Sequence, residues 1–322
     1  MRLLKLDPRP PAYDSVAAAT RDDDESTTML DDAFEMADWR PIAPAECADE
    51  PSPRLAFVDG VQQYDARFSA EGDGWPIPGV LATYAAGAMC PGSDDPLCHV
   101  TVQRAAILTR GARPAAIDVR TSKTLHRYHP ESAAGDDPAA LESKLNQLRA
   151  EVEASIVRRL LGERFGLVIV DGRLPQQASG AVGLIKTPQR VPVTSETQIN
   201  VLRGLRRGER SPVFVRRRSD RRYYSWFTCL ASPGRYDLAM SGLAMMEMDD
   251  SASREEVTRA ADLTASALPR YAPKPHRDPR APQNLLPVGQ LERDLRRRMG
   301  QREFVARLIR ESFAREDFAW TF

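Results

Sequence analysis

LAFVDG at residues 55–60 is the stretch that decides the fold, and a near copy, LVIVDG, follows at residues 167–172. Each is a short apolar, partly β-branched run closed by a turn signal, which is the pattern of a buried strand. Each run ends in an aspartate followed at once by glycine, Asp59 in the first and Asp171 in the second. A carboxylate at the mouth of a buried strand is costly unless hydrogen bonds, a cation or a wet cleft offset its burial.

The two aspartates together predict a metal site. Two strands that end in this way can place Asp59 and Asp171 side by side, where a divalent cation would neutralise both carboxylates. That arrangement suits hydrolysis of phosphodiester bonds, in which a bound metal ion activates water and neutralises charge on the phosphate. The sequence therefore points to a carboxylate site at the ends of two strands.

Length and composition set broad bounds on the class of protein. The chain has 322 residues, of which 42% are hydrophobic and 28% charged, as in globular proteins with one large α/β domain or two smaller ones. The formal net charge is zero, so binding to nucleic acid has to come from local basic patches. We find neither an apolar run of about 18 residues nor a signal peptide, which predicts a cytoplasmic protein with no membrane partner.

The cysteines do not predict a zinc site. None of the four belongs to a C-x-x-C pair, and Cys90 with Cys98 and His99 lacks the spacing of structural zinc ligands. We therefore interpret the cysteines as ordinary reduced thiols.

Residues 1–50 differ in composition from the rest of the chain. They are rich in proline, alanine and acidic residues with little periodicity, which predicts a peripheral, partly irregular extension with a short helix around residues 28–38. Residues 51–322 then form the main domain. Apolar strands follow the first V-D-G up to residue 121, and they predict a mixed sheet that opens an α/β domain.

A long amphipathic helix is predicted between residues 136 and 162. Asp137-Pro138 is a suitable start, and an apolar stripe recurs at three- and four-residue steps, formed by Leu141, Leu145, Leu148, Val152, Ile156 and Leu160. On a helical wheel, Glu153 lies at one flank of the stripe and Glu151 at the other, farther from its centre. A flank carboxylate could face the cleft of the two aspartates, although such a residue is more commonly a solvated acid.

Basic residues follow the second V-D-G. Lys186 ends the predicted strand AVGLIKT, where it is either a surface charge or a contact for a phosphate beside the carboxylates. Arginines are concentrated between residues 203 and 222, and aromatic residues follow directly at 223–227. Basic and aromatic residues together suit single-stranded nucleic acid, although we favour core packing for the aromatic residues. The arginines that we expect to contact DNA are Arg206, Arg207, Arg216, Arg217 and Arg222.

The order of these motifs resembles that of the NurA nucleases, the partners of HerA-type hexameric ATPases. The resemblance covers residues 51 to about 310, and its motifs are specific through their order and spacing rather than one by one. They are V-D-G at 58–60, the helix of Arg149 and Glu153 leading into LVIVDGRL at 167–174, GLIKT at 183–187, R-x-P-V-F-V at 210–215 and DPRAPQNLLP at 278–287.

The resemblance implies a fold and an activity. The fold would be an RNase-H-like α/β domain, in which a mixed sheet is flanked by helices, and the protein would be a homodimer. The activity would be that of a manganese- or magnesium-dependent nuclease, a 5′-to-3′ exonuclease and single-strand endonuclease. It would process DNA ends beside a HerA-like ATPase, in repair or in defence.

The resemblance also implies which residues form the site. Asp59, Asp171 and Glu153 would be metal ligands, with Glu151 the alternative to Glu153, and Lys186 would contact the phosphate. A late histidine of the family falls on His276, or its place is taken by Asn284. A histidine ligand would shift the preference of an oxygen site towards manganese.

Two other classes of protein compete with the nuclease. The first is a scaffold that keeps the fold but has lost the site, and the two intact V-D-G motifs argue against it. The second is a nucleotide-binding or phosphotransfer enzyme of the wider RNase-H-like class. The sequence has no G-x-x-x-x-G-K-[ST] phosphate loop, which lowers the weight of this alternative.

Overall fold

The computed structural model describes residues 4–6, 27–44, 54–71, 75–120, 125–186, 192–193, 195–232, 240–274, 276, 278 and 281–314. Twelve strands form in this part of the chain: β1 Leu4–Leu6, β2 Thr27–Asp31, β3 Leu55–Ala70, β4 Ile77–Met89, β5 Leu97–Leu108, β6 Ile117–Arg120, β7 Leu125–Ser132, β8 Leu167–Asp171, β9 Val182–Ile185, β10 Phe214–Arg218, β11 Arg221–Cys229 and β12 Leu243–Asp249. They join one sheet in the order β2-β10-β11-β12-β9-β8-β3-β4-β5-β7-β6, with β1 paired to β3.

The sheet combines antiparallel and parallel pairs. Strands β3, β4 and β5 are antiparallel neighbours, whereas β3 is parallel to β8 and β8 is parallel to β9. Parallel neighbours require a crossover connection. Between β3 and β8 it consists of β4 to β7 and the long helix, and between β8 and β9 it is the segment of residues 172–181. The predicted α/β class with a mixed sheet is confirmed.

Helices cover both faces of the sheet. They are α1 Pro138–Gly162, α2 Glu196–Gly204, α3 Arg254–Ala267, α4 Leu286–Met299 and α5 Arg302–Ala314, with a 3₁₀ turn at Leu268–Tyr271. The predicted helix α1 is confirmed: Asp137 caps it by accepting a hydrogen bond from the N–H of Ala140 (2.9 Å), and Pro138 occupies its first turn. Among the described residues, we find no helix of the length and apolarity that a membrane crossing requires.

The two faces of the central strands pack against different helices. In β3, Ala56 and Val58 pack in one cluster with the apolar residues of α1, whereas Leu55 and Phe57 pack in another with α4. Strand β8 alternates in the same way. Because side chains alternate between the faces of a strand, the aspartate that follows Val58 and the aspartate that ends β8 belong to the α4 face.

Part of the N-terminal region belongs to the sheet, and the predicted helix around residues 28–38 is wrong, because residues 27–31 form strand β2 instead. Strand β2 pairs with β10, and Trp39 is buried against that part of the sheet. Glu35 accepts two hydrogen bonds of 2.8 Å from the guanidinium of Arg210. The sheet edge and a buried cation therefore override a weak local preference for helix. The rest of the predicted extension, apart from residues 4–6, lies outside the described residues.

Candidate metal centre

The two V-D-G strands are direct neighbours in the sheet. Val58 of β3 is in register with Val170 of β8 in a parallel pair, so Asp59 and Asp171 follow at the same level. Asp59 is 6% exposed, and its Oδ1 accepts a hydrogen bond of 2.8 Å from the N–H of Gly60. The predicted juxtaposition of the two aspartates is present, but the prediction that Asp59 ends its strand is wrong, because β3 continues beyond it whereas β8 ends at Asp171.

A third carboxylate comes from α4, and the sequence analysis missed it. Carboxylate oxygens of Asp59, Asp171 and Glu292 all lie within 4.8 Å of one another. Glu292 follows Leu291, which α4 buries against the sheet with Leu295. The flank position beside that apolar stripe is the same signal that singled out Glu153, and it could have identified Glu292.

A glycine lets α4 approach the sheet closely enough. Gly87 of β4 pairs with Asp59 of β3. A Cβ atom at Gly87 would lie 3.2 Å from Leu295 Cδ2 and 3.3 Å from Leu291 Cδ1, so a larger residue would push the helix away. The sequence G-A-M at the end of β4 thus contributes to the placement of Glu292.

Glu153 lies beside this cluster, on the α1 face. It is 4% exposed, and its Oε1 accepts a hydrogen bond of 2.6 Å from Arg149 Nη1. The pKa of Glu153 is raised above its usual value, chiefly by burial. Arg149 lowers this pKa and the charge of Asp171 raises it. Glu151 is exposed and bound by Gln147 (2.9 Å). Of the two alternatives, Glu153 is the one that is buried beside the aspartates.

The electrostatics of Asp59 indicate a place for a cation. Burial raises the pKa of Asp59 well above its usual range, and the charges of Asp171, Glu153 and Glu292 raise it further, against the hydrogen bond from Gly60 that lowers it. Buried like charges at this distance repel one another, and a bound cation relieves that repulsion. A donor set made only of carboxylate oxygens fits Mg²⁺ or Mn²⁺.

Lys186 is next to the cluster, at the end of β9. Its Nζ donates to Asp171 Oδ2 (2.6 Å) and to Asn284 Oδ1 (2.9 Å). Asn284 is buried and in turn donates from Nδ2 to Asp278 Oδ2 (2.8 Å). His276 is exposed and is not one of the three groups whose ligand atoms converge. The role of His276 as a ligand stays a prediction. Asn284 is connected to the site by its hydrogen bond with Lys186.

A groove opens beside the carboxylates. It has a volume of about 770 Å³ and lies between residues 143–154 of α1 and residues 171–177 after β8. Its lining includes Glu153 and Asp171 of the site, and also Arg149 and Arg173. A polar groove of this size has room for a ligand larger than a metal ion with its water.

The arginines between residues 203 and 222, here called the basic segment, lie partly at the surface and partly in the interior. Arg216 is 2% exposed, and its guanidinium is ion-paired with Glu247, so the expectation that it contacts DNA is corrected. The other arginines expected to contact DNA are exposed, and for them the expectation stays a prediction: Arg206, Arg207, Arg217 and Arg222. Tyr223, Trp226 and Phe227 are buried, as core packing of the aromatic residues predicts.

Gly60→Ala is expected to weaken binding of a divalent cation by about tenfold or more, the scale of losses when a ligand's support is disturbed. A Cβ atom there would lie 2.3 Å from Glu153 Oε1 and 2.8 Å from Arg149 Cγ, so both side chains must move. A Mn²⁺ titration by calorimetry measures the effect. Gly162→Ala on α1 meets no atom within 4 Å and is the matched control. Equal Mn²⁺ affinities in the two variants would contradict a role for Glu153 in metal binding.

No protein-family model matches the chain. No curated protein matches it either. The function therefore has to be argued from the carboxylate cluster, its lysine and its groove.

Proposed function

We propose that this chain is a divalent-metal-dependent DNA nuclease of the NurA type. The observation that carries the proposal is the convergence of Asp59, Asp171 and Glu292, whose carboxylate oxygens lie within 4.8 Å of one another. Phosphodiester hydrolysis requires neutralisation of a phosphate and a deprotonated water, and a metal ion held by carboxylates serves both needs. The cytoplasmic location and the homodimer are part of the same proposal and rest on the sequence analysis.

The order of elements supports an RNase-H-like fold for this enzyme. An antiparallel β3-β4-β5 meander is followed by the short strands β6 and β7, by α1 and by β8, which returns parallel to β3 on its other side. In the proposed fold, the first strand and the returning parallel strand carry the two aspartates. Asp171 lies at the carboxyl end of β8, the position at which ligands commonly bind in open α/β sheets.

The residues of the site have distinct roles in the proposed reaction. Asp59, Asp171 and Glu292 would hold one or two divalent ions, with Glu153 beside them. When bound, such an ion lowers the pKa of a water molecule to near neutrality. Lys186 carries three donors, of which two reach Asp171 and Asn284, and in this role the third would bind a phosphate oxygen. The groove along α1 would hold the strand that leads to the scissile bond.

Cleavage of labelled single-stranded DNA, with Mn²⁺ against EDTA, tests the activity. We expect cleavage only with the divalent ion, with Mg²⁺ as an alternative metal, and products that report exonuclease action from the 5′ end. RNA of the same sequence is the matched substrate control. A protein that binds Mn²⁺ but leaves DNA intact would favour an inactive docking subunit over an enzyme.

A HerA-like hexameric ATPase is the proposed protein partner, and the sequence resemblance is its support. In that complex, the ATPase would translocate DNA towards the groove. Co-purification of the chain with the ATPase of the same genome, with and without ATP, tests the pairing. Independent migration of the two proteins in size-exclusion chromatography would contradict it.

Glu292→Gln is expected to reduce Mn²⁺-dependent cleavage on the order of 10²-fold, because it removes one charge from the three converging carboxylates. His276→Gln is the matched comparison, since the sequence resemblance makes His276 the late ligand. We expect the larger loss in the Glu292 variant, because His276 is exposed and lies outside the converging groups. Initial rates over a Mn²⁺ series measure both, and a larger loss in the histidine variant would reverse the assignment.

A further inference from the structure

Glu247 of β12 is a fully buried carboxylate that contacts the turn after Asp171. It is 0% exposed, and it pairs across the sheet with Gly183 of β9. Its Oε1 accepts a hydrogen bond of 2.7 Å from the backbone N–H of Leu174. Leu174 ends the short turn that begins directly after Asp171, so Glu247 contacts the segment that carries a proposed metal ligand.

The turn after Asp171 is held at both ends. Its first residue, Gly172, has φ +87°, a conformation that glycine adopts without strain, and its N–H donates to Leu184 O (2.8 Å). Its last residue, Leu174, donates to Glu247. The path of the backbone after Asp171 is therefore fixed by two acceptors, the carbonyl oxygen of Leu184 and the carboxylate of Glu247.

Two arginines hold the Glu247 carboxylate in place. Arg216 and Arg218 of β10 both form ion pairs with it, the latter at 3.0 Å. Arg216 Nε also donates to Ser225 Oγ (2.8 Å), and Arg218 Nη2 donates to the hydroxyl of Tyr223 (3.0 Å). These two arginines therefore orient the carboxylate of Glu247.

Glu247 and the turn pack closely against Gly183. A Cβ atom at Gly183 would lie 2.9 Å from Glu247 Cγ, 3.0 Å from Leu174 N and 3.1 Å from Gly172 O. The glycine therefore allows the carboxylate and the turn to meet. Stability alone is a weak reason for this group, because the cost of burying charges often exceeds the gain of pairing them. A role in placing the turn explains why the carboxylate binds a backbone N–H as well as the arginines.

We propose that Glu247 is a positioning residue, which fixes Asp171 for metal binding through the turn of Gly172–Leu174. The proposal rests on the proposed function, since it gives Asp171 the role of a metal ligand. Supports of this kind, which hold a ligand without contacting the metal, typically contribute 10- to 100-fold in affinity or activity. Arg216 and Arg218 would act through Glu247.

Glu247→Gln tests the proposal, with Glu35→Gln as a matched control. Glu35 is also a carboxylate that binds an arginine, Arg210, and a backbone N–H, that of Val213 at 2.6 Å, but it anchors residues 33–42. We expect Glu247→Gln to weaken Mn²⁺ binding by about 10- to 100-fold in calorimetry without DNA. We also expect its kcat to fall while the KM for DNA is unchanged. Glu35→Gln is expected to lower the Tm and to leave Mn²⁺ affinity unchanged.

A second variant covers the case in which Glu247→Gln does not fold. Glu247→Asp keeps a negative charge opposite the two arginines but draws the acceptor back from the N–H of Leu174, and we expect the same loss of Mn²⁺ affinity. Wild-type Mn²⁺ affinity in a folded Glu247 variant, or an equal loss in Glu35→Gln, would overturn the positioning role.

The outcomes separate this inference from the proposed nuclease. A wild-type protein that binds Mn²⁺ without cleaving DNA overturns the activity alone, and the calorimetric comparison still decides the role of Glu247. A wild-type protein that cleaves DNA while Glu247→Gln binds Mn²⁺ equally well overturns the positioning role alone. A wild-type protein that binds no divalent ion overturns both.

Discussion

Asp171→Asn is expected to abolish metal-dependent cleavage of DNA, with a rate loss on the order of 10³-fold or more. The substitution keeps the size of the side chain but removes a charge from the three converging carboxylates. Metal ions contribute several kcal/mol of charge stabilisation in such reactions, and each ~1.4 kcal/mol corresponds to a tenfold change in rate. Initial rates on 5′-labelled single-stranded DNA at saturating Mn²⁺ measure the loss.

The fold should survive this substitution, because the amide oxygen can still accept the hydrogen bond from Lys186 Nζ that Asp171 Oδ2 now accepts (2.6 Å). Asp118→Asn is the matched control, since Asp118 on β6 is paired with Arg127 instead (2.7 Å). We expect wild-type cleavage from the control and an unchanged circular dichroism spectrum from both. Cleavage by the Asp171 variant within tenfold of the wild type would refute the assignment of the site.

Asp59→Asn is expected to make the metal-free protein more stable at neutral pH. Burial, and then the charges of Asp171, Glu153 and Glu292, hold the pKa of Asp59 well above its usual range. A carboxyl whose pKa is raised in the folded state binds its proton more tightly there than in the unfolded chain. Its stabilising contribution is complete below the unfolded pKa of about 3.9 and is lost as the pH rises through the higher folded pKa.

Thermal unfolding in EDTA across a pH series measures this effect. We expect the Tm of the wild type to fall as the pH rises above about 4, the ordinary range of an aspartate, and the Tm of Asp59→Asn to fall less. Addition of Mn²⁺ should raise the Tm of the wild type strongly, since ligands that bind only the folded state stabilise it, and should raise that of the variant little. A variant that is less stable than the wild type in EDTA would show that Asp59 is not under charge repulsion.

These two predictions depend on two kinds of feature: local patterns that the sequence indicates, and contacts that only the folded chain forms. The start of each V-D-G strand was recognisable because a short apolar, β-branched run is a local pattern, but the end of the first was not, since β3 continues past Asp59 to Ala70. The start of α1 was recognisable for the same reason, since Asp137 and Pro138 are adjacent to the turn they cap. The sequence therefore predicted both aspartates and the helix that carries Glu153.

The features that were missed depend on contacts between distant parts of the chain. Glu292 reaches Asp59 only because α4 packs on one face of the sheet, at Gly87. Residues 27–31 form a strand because the edge of β10 is available to pair with them. Arg216 is drawn inside by Glu247, although its sequence neighbours read as a basic surface. In each case the deciding partner is distant in the sequence.

The sequence by itself determined the class of the fold, the two aspartates and the long helix between them, because periodicity and capping act within a few residues. Only the tertiary structure decided that a carboxylate of α4 completes the cluster and that a buried glutamate holds the turn after Asp171. The physical reason is that a carboxylate is costly to bury alone. Which partner offsets that cost depends on the packing of whole elements, and short-range patterns do not encode it.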